Sequence, residues 1–248
     1  MGTRDVPLPV HILARPGDVA DIAITSGDPA RTEQLAKMLR DAKLVNSNRG
    51  FTTYTGYFDK TRLTVATHGI GGPSTSIVFE ELHMLGAKTI IRFGTAGGLV
   101  RGLGTGDFVI ATGAAYPKGS LQAYIDDGFL PAVPDFELTY RLIQACRNAK
   151  LKAREGLVFS SDSFYTQDLA SLERWVKRGV IAVEMECATL FTLGLIRGFK
   201  TAALLMLSNS LVTKSEEKLA PAKELEPFAA KGARAIFEAL SGPRILPP

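Results

Sequence analysis

Residues 22–31 read IAITSGDPAR. The apolar and β-branched residues that begin this stretch suit a short buried strand. Gly27 closes it, because a residue without Cβ lets the backbone turn and come close to whatever lies opposite. Asp28 can accept hydrogen bonds from the free amides of a following helix. Pro29 suits that helix's first turn, since it has no N–H to lose and its φ is preset. A strand passing through a tight turn into a helix is the repeating unit of α/β folds.

The same alternation runs outward along the chain. Strands are expected at 22–26, 63–67, 89–94, 108–112, 156–160, 181–185 and 202–208. Helices are expected at 30–41, 74–85, 136–149, 169–177, 187–196 and 224–240. Near-continuous apolar strands alternating with amphipathic helices predict an α/β fold, with a mainly parallel sheet covered on both faces. Residues 49–67 break the pattern. There two β-rich runs, 51–58 and 63–67, flank Asp59-Lys60 and predict an antiparallel hairpin. The Gly- and Pro-rich stretch 116–134 lies inside the alternation and reads as a functional loop within a single domain, 1–248. The ends, 1–8 and 243–248, are expected to fray.

The chain has 248 residues, and its net charge of +4 comes from Lys and Arg scattered along it. Scattered charge favours a small anionic ligand over nucleic acid. No apolar run approaches the ~18 residues of a membrane span, and the first residues lack the apolar core of a secretory signal, so a cytoplasmic protein is expected. Cys146 and Cys187 have no metal-type spacing. They read as small buried hydrophobes, with a disulfide between them left open.

Four stretches carry chemistry. In the first, Arg31 sits in the first turn of a helix, where free amides and the helix dipole already favour an anion. An ordinary strand–helix connection with a surface arginine would read the same. In the second, residues 89–98, TIIRFGTAGG, Arg92 interrupts a strand fit for burial. A guanidinium keeps its charge and is costly to bury without an anionic partner, which could be a ligand or a structural carboxylate. Thr95 follows in a Gly-rich turn whose hydroxyl and amides could hold oxyanions. The third, HGIGGPS at 68–74, resembles a ligand-cradling loop but equally a plain tight turn, and His68 reads as structural rather than catalytic. In the fourth, VEMEC at 183–187, an extended backbone would put Glu184 and Glu186 on one face and Met185 on the other. A carboxylate there can accept from two vicinal hydroxyls and stabilise positive charge on a sugar ring. A helix N-terminus with acidic residues is the alternative.

These stretches occur together and in order with NRGF (48–51), HGIGGPSTSI (68–77), SSDSFY (160–165) and VEMECATLF (183–191). The sequence resembles the nucleoside phosphorylase-I family over residues 11–240. The resemblance implies a central mixed, partly barrel-like sheet surrounded by helices. It implies that Gly27, Arg31, Arg92 and Thr95 bind phosphate, with Arg49 reaching the phosphate of a neighbouring subunit's site. Glu186 would hold the ribose hydroxyls, with Met185 and Glu184 beside it, and His11 would reach the 5′-hydroxyl across a dimer interface. Phe164 would lie against base or ribose. Arg92, Glu186 and Arg31 would be the catalytic set. Inorganic phosphate would be the co-substrate, with no metal or organic cofactor. The implied assembly is a hexamer, a trimer of dimers with shared active sites.

Departures from the family concern the base. Purine-cleaving relatives usually carry Asp after a Ser near the end of the last core strand, where this chain has Ser208-Asn209. Asn209 and Gln167 resemble uridine phosphorylases, although Leu169 stands where those have Arg. Gly50 after Arg49 removes a Glu with which some relatives hold potassium. Uridine is therefore the expected nucleoside, with a purine nucleoside or methylthioadenosine as alternatives. A nucleosidase or a non-catalytic nucleoside-binding protein is further off.

Overall fold

The computed structural model describes residues 8–117, 119–125, 128–165, 169–211 and 219–241. The elements, in chain order, are β1 (Ile22–Ser26), α1 (Pro29–Ala36), β2 (Arg40–Asn46), β3 (Thr53–Phe58), β4 (Thr61–Thr67), α2 (Gly72–Met84), β5 (Thr89–Gly98), β6 (Phe108–Ala115), α3 (Gln122–Ile125), α4 (Phe136–Asn148), β7 (Ala153–Ser160), α5 (Leu169–Val176), β8 (Val180–Glu184), α6 (Cys187–Arg197), β9 (Lys200–Ser210) and α7 (Ala222–Ser241). None of these helices is long and apolar enough to cross a membrane. The termini expected to fray lie outside the described residues, apart from Leu8.

The sheet order is β2-β3-β4-β1-β5-β8-β7-β6-β9, and β9 pairs again with β5. Strands β5, β8, β7, β6 and β9 therefore close into a small barrel. Strands β1, β4, β3 and β2 extend from β5 as an open wing. The sheet is mixed, as the family resemblance implied, rather than mainly parallel: β5 is parallel to β1 and β9 but antiparallel to β8, and β6 is antiparallel to β9. The hairpin at Asp59-Lys60 is present, with Phe58 paired to Thr61 and Asp59 in the left-handed region (φ +51°).

One face of the sheet packs on α2 and α6 through Val78, Phe79, Leu190 and Phe191. The other packs on α1, α4 and α7 through Leu35, Leu142, Ile236 and Phe237. Each of these side chains is essentially excluded from solvent. Burying one such side chain contributes about 1.5–3 kcal/mol, so the sheet is clamped from both sides. Cys146 and Cys187 are both free, and they lie in these two different clusters on opposite faces.

Three further expectations are corrected. The first helix ends at Ala36, not at 41, and the chain then forms the strand β2. Strand β5 continues through its glycines to Gly98, because β9 pairs with it along its whole length. The 116–134 loop holds a short helix, α3, and Ala132 bridges back to Ala114.

The pairing of β5 leaves a gap along one of its edges. Along one edge β5 pairs with β1 as far as Arg92, opposite Thr25. The same edge resumes with β8 at Gly97 and Gly98, opposite Val183 and Ala182. Since β1 runs parallel to β5 and β8 antiparallel, these two strands run toward one another and stop. Their ends carry Gly27 and Glu184. A crevice where neighbouring strands diverge is where open α/β sheets place ligands.

Candidate functional site

Arg92 lies beside this gap and is 3% exposed. Its guanidinium folds back over Gly94, where any side chain would collide with it. Each of its nitrogens meets a different partner. Nε lies 3.3 Å from Glu184 Oε2, Nη2 lies 2.5 Å from Glu186 Oε2, and Nη1 lies 3.2 Å from His68 Nε2. Burial works against the arginine's charge, but the two carboxylates outweigh it and push its pKa up.

Strand β8 ends at Glu184, so of the two readings of this stretch the helix N-terminus is the one that forms, and Glu184 and Glu186 do not share one extended face. The chain bends at Met185 and Glu186, and Glu186 becomes the residue before α6. The two carboxylates still converge on Arg92, because the bend carries Glu186 round to it. Glu184 is anchored from its other sides. Its Oε2 accepts from the backbone N–H groups of Glu186 (2.8 Å) and Cys187 (2.9 Å), and its Oε1 accepts from the Ser160 hydroxyl. Glu186 Oε1 accepts from Gly71 N–H at 2.8 Å. Gly71 holds φ +82°, a left-handed conformation that favours glycine. Burial, together with the neighbouring charge of Glu184, holds the Glu186 carboxyl above its ordinary value, partly offset by Arg92.

Arg31 comes to the same place from α1. Asp28 caps that helix, accepting from Ala30 N–H at 2.9 Å, and Pro29 begins it, as its sequence predicts. Arg31 is buried, with its guanidinium 6.0 Å from the centre of the Phe93 ring. Burial lowers its pKa; Asp28 opposes that shift and Arg92 adds to it. No ion pair to Arg31 occurs among the described residues. Gly27 is needed for the approach of the loops above: a Cβ there would stand 2.8 Å from the Gly69 carbonyl oxygen. Thr95, half-buried, follows Arg92 on β5, opposite Met206 of β9.

His11 and Arg49 do not join this cluster. His11 Nδ1 lies 2.7 Å from Glu81 Oε1, and the backbone N–H groups of Val10, His11 and Ile12 all donate to the Glu81 carboxylate. Burial opposes the charge of Glu81, but these donors more than offset it, so its carboxyl is held below the ordinary value. Asn48 Nδ2 donates to the His11 carbonyl at 3.0 Å. Beside it Arg49 is exposed, at φ +56°. A non-glycine residue in that region is strained, and such strain often marks a ligand-binding position. His11 and Arg49 thus share one surface.

The base residues are less assembled. Asn209 is half-buried near the end of β9, opposite Gly97, and its Oδ1 lies 3.3 Å from the Ser208 hydroxyl. Phe164 is 56% exposed, on the loop after β7. Gln167 lies outside the described residues. Met185 lines a small recess with Ser160, Asp162 and Thr189. An adjoining cavity of about 340 Å³, which shares Tyr116 and Pro117 with that recess and is lined also by Ile125, Phe129 and Pro131, holds none of the phosphate or ribose candidates.

Sequence reasoning passed over His68 as a site residue and gave Ser160 no role. Both stand inside recognisable motifs, HGIGGPS and SSDSFY. What was invisible is that each points at a charged side chain more than 20 positions away: His68 at Arg92 and Ser160 at Glu184, both with |i−j| of 24.

A gap between strand ends, two buried arginines and two carboxylates lie together on a partly closed barrel, an arrangement with the chemistry to receive an anion and a polyol. Residues 21–241 match the family model of the phosphorylase superfamily. The chain is 38% identical over 217 residues to the uridine phosphorylase of Treponema pallidum, covering 83% of this chain and 84% of that protein. It is 35% identical over 207 residues to the guanosine phosphorylase of Halorubrum lacusprofundi, covering 84% and 86%. Its structure is similar to the crystal structure of purine nucleoside phosphorylase from Toxoplasma gondii in complex with immucillin-H, with a TM-score of 0.85, 30% identity and 94% of each chain covered. The chain therefore belongs to the nucleoside phosphorylase family of the phosphorylase superfamily. These relatives differ in the base that their names specify, so the family alone does not fix the base.

Proposed function

We propose that the chain catalyses phosphorolysis of a nucleoside, converting uridine and inorganic phosphate into uracil and ribose 1-phosphate. The observation that carries the reading is the pair of buried arginines at the strand gap, Arg31 and Arg92, of which only Arg92 has a carboxylate partner among the described residues. Two desolvated cations close enough to disfavour one another favour a bound polyanion. A hydrolase that activates water has no use for that arrangement.

The chemistry follows from the arrangement. Arg31 and Arg92, with Thr95 and the Gly27 turn, hold phosphate beneath the anomeric carbon. Phosphate then takes over contacts that Arg92 now makes to Glu186, and the freed carboxylate accepts from the ribose hydroxyls. As the C–N bond lengthens, its electron pair leaves with the base and the ribose becomes oxocarbenium-like. Phosphate and Glu186 stabilise that cation, and phosphate closes the new C–O bond with inversion. Glu184, with its donors from Ser160 and two backbone amides, keeps Arg92 in place. The reaction uses no metal or organic cofactor.

Asn209 supports the choice of base. A departing purine gains from a proton delivered to N7, which a carboxylic acid can give and an amide cannot. A uracil leaving group gains instead from neutral hydrogen bonds. Half-buried His11 and exposed Arg49, which share a surface away from Arg92, support an assembly in which a neighbour completes each site, within a trimer of dimers. The decisive test is release of free base from uridine, thymidine, inosine, guanosine and methylthioadenosine, with and without saturating phosphate. The expected result is phosphate-dependent release, fastest from uridine. A tenfold preference for a purine nucleoside would overturn the uridine reading, and equal release without phosphate would overturn phosphorolysis.

A further inference from the structure

His68 stands between the Gly27 turn, Arg92 and the loop that holds Glu186. It follows β4 and is fully buried. Its backbone N–H donates to the Ser26 carbonyl at 2.8 Å, tying it to the end of β1. A Cβ on Gly27 would lie 3.5 Å from its Cε1, so the ring packs beneath the Gly27 turn. The edge of the ring meets Phe79, 5.6 Å between centroids. The loop that His68 opens supplies Gly71, whose N–H holds Glu186.

The hydrogen bonds fix the ring's tautomer. Nδ1 lies 2.8 Å from the Gly69 carbonyl oxygen, which can only accept, so Nδ1 carries the proton. Nε2, 3.2 Å from Arg92 Nη1, then presents a lone pair to a group that can only donate. An imidazolium would set a donor against a donor and a cation against a cation. Burial and the charge of Arg92 indeed push the His68 pKa well below 6.5, so the ring is neutral.

We propose that His68 is a positioning residue for phosphate binding: its Nε2 lone pair fixes the Nη1 edge of Arg92. Without this acceptor, Arg92 is held only on its Nε and Nη2 sides, by Glu184 and Glu186. Glu186 is also the partner that must turn to the ribose during the reaction. His68 and Glu184 then keep the guanidinium plane in place while Glu186 moves. Each terminal nitrogen of Arg92 carries a second N–H, so this plane decides where phosphate is received. The inference rests on the reading of Arg92 as a phosphate ligand.

The test compares His68→Leu, which removes the lone pair at similar bulk, with His68→Gln, whose amide oxygen can accept near the position of Nε2. Dissociation constants for inorganic phosphate are measured by calorimetry, with nucleoside KM at saturating phosphate alongside. His68→Leu is expected to weaken phosphate binding about tenfold or more, the scale of a hydrogen bond to a charged group. Nucleoside KM should change less than about threefold, and His68→Gln should restore phosphate binding to within about threefold. Wild-type phosphate affinity in His68→Leu would overturn the proposal. So would a His68→Gln protein that is unfolded or as weak as His68→Leu. If His68→Leu fails to fold, retained phosphate affinity in His68→Gln supports the proposal on its own. A wild-type protein that binds no phosphate would overturn the reading of Arg92 itself, and this inference with it.

Discussion

Arg92 and Arg49 are assigned to the same anion, yet the fold treats them in opposite ways. Arg92 is 3% exposed, fixed at each nitrogen and set where two strands end against β5. Arg49 is exposed, on a left-handed residue of a loop, beside a His11 that Glu81 and Asn48 hold in place. One half of the site is built into the core of each chain. Arg49, which the proposed function places in the other half, lies unburied on the surface. Under the proposed function, the contrast means that the core half would set the chemistry and the surface half would act in a second copy of the chain.

The largest expected effect lies in the core half. Arg92→Ala should lower kcat/KM for phosphorolysis by about 10³-fold or more, because a charge-assisted contact in a desolvated site is lost from the transition state. Breaking a buried ion pair from one side is usually costly. Here Glu184 keeps the donors from Ser160, Glu186 and Cys187, and Glu186, already pushed up by burial, can take a proton. The loss of stability in denaturant should therefore stay below about 3 kcal/mol. Near-normal kcat/KM in a folded Arg92→Ala protein would remove the distinction between the two arginines.

The surface half should show a smaller loss and a different signature. Arg49→Ala is expected to lower kcat/KM about 10- to 100-fold, as suits an exposed cation that steers and completes the site. Mixed with Arg92→Ala chains under conditions where subunits exchange, it should regain activity. If a neighbour supplies Arg49, random pairing rebuilds about a quarter of the sites. No recovery in a verified mixed oligomer, or full activity in a monomer shown by light scattering, would mean that Arg49 serves its own chain or none.

The two halves also differ in how they can be read from sequence. The strand-turn-helix at 22–31 was legible because local chemistry decides it: Asp28 caps, Pro29 starts the helix and Gly27 turns. Arg92 was legible as an oddity, a permanent cation in an apolar strand. Strand β2 was not legible. Its residues Arg40 to Leu44 are exposed, so no alternation marks it, and bulges interrupt its pairing with β3. Barrel closure through β5 and β9 was equally hidden, because it depends on pairing between segments far apart in sequence. The same limit hid His68 and Ser160: their types are unremarkable, and only the fold shows what they face.

The smallest expected effect concerns His68 and the cost of keeping it neutral. Burial lowers the His68 pKa most, and the charges of Arg92 and Arg31, which the ring faces, lower it further, while Glu184 and Glu186 lie beyond Arg92. Well above pH 6.5 the ring is neutral whether the chain is folded or not, and it adds no pH dependence. Below 6.5 the unfolded chain takes up a proton that the native site refuses, so acid favours unfolding. Stability should therefore fall by about 1.4 kcal/mol per pH unit as pH drops below 6.5, until the depressed native pKa is reached. Other groups titrate as well, so the informative quantity is the difference from His68→Gln, which carries no such proton. Denaturant unfolding at fixed protomer concentration, at pH 7, 6 and 5.5, measures it. Wild type should lose stability relative to the variant as pH falls. Parallel curves would show that native His68 takes up its proton as readily as the unfolded chain does, and the contrast between a closed, proton-excluding core half and an open surface half would fail at its centre.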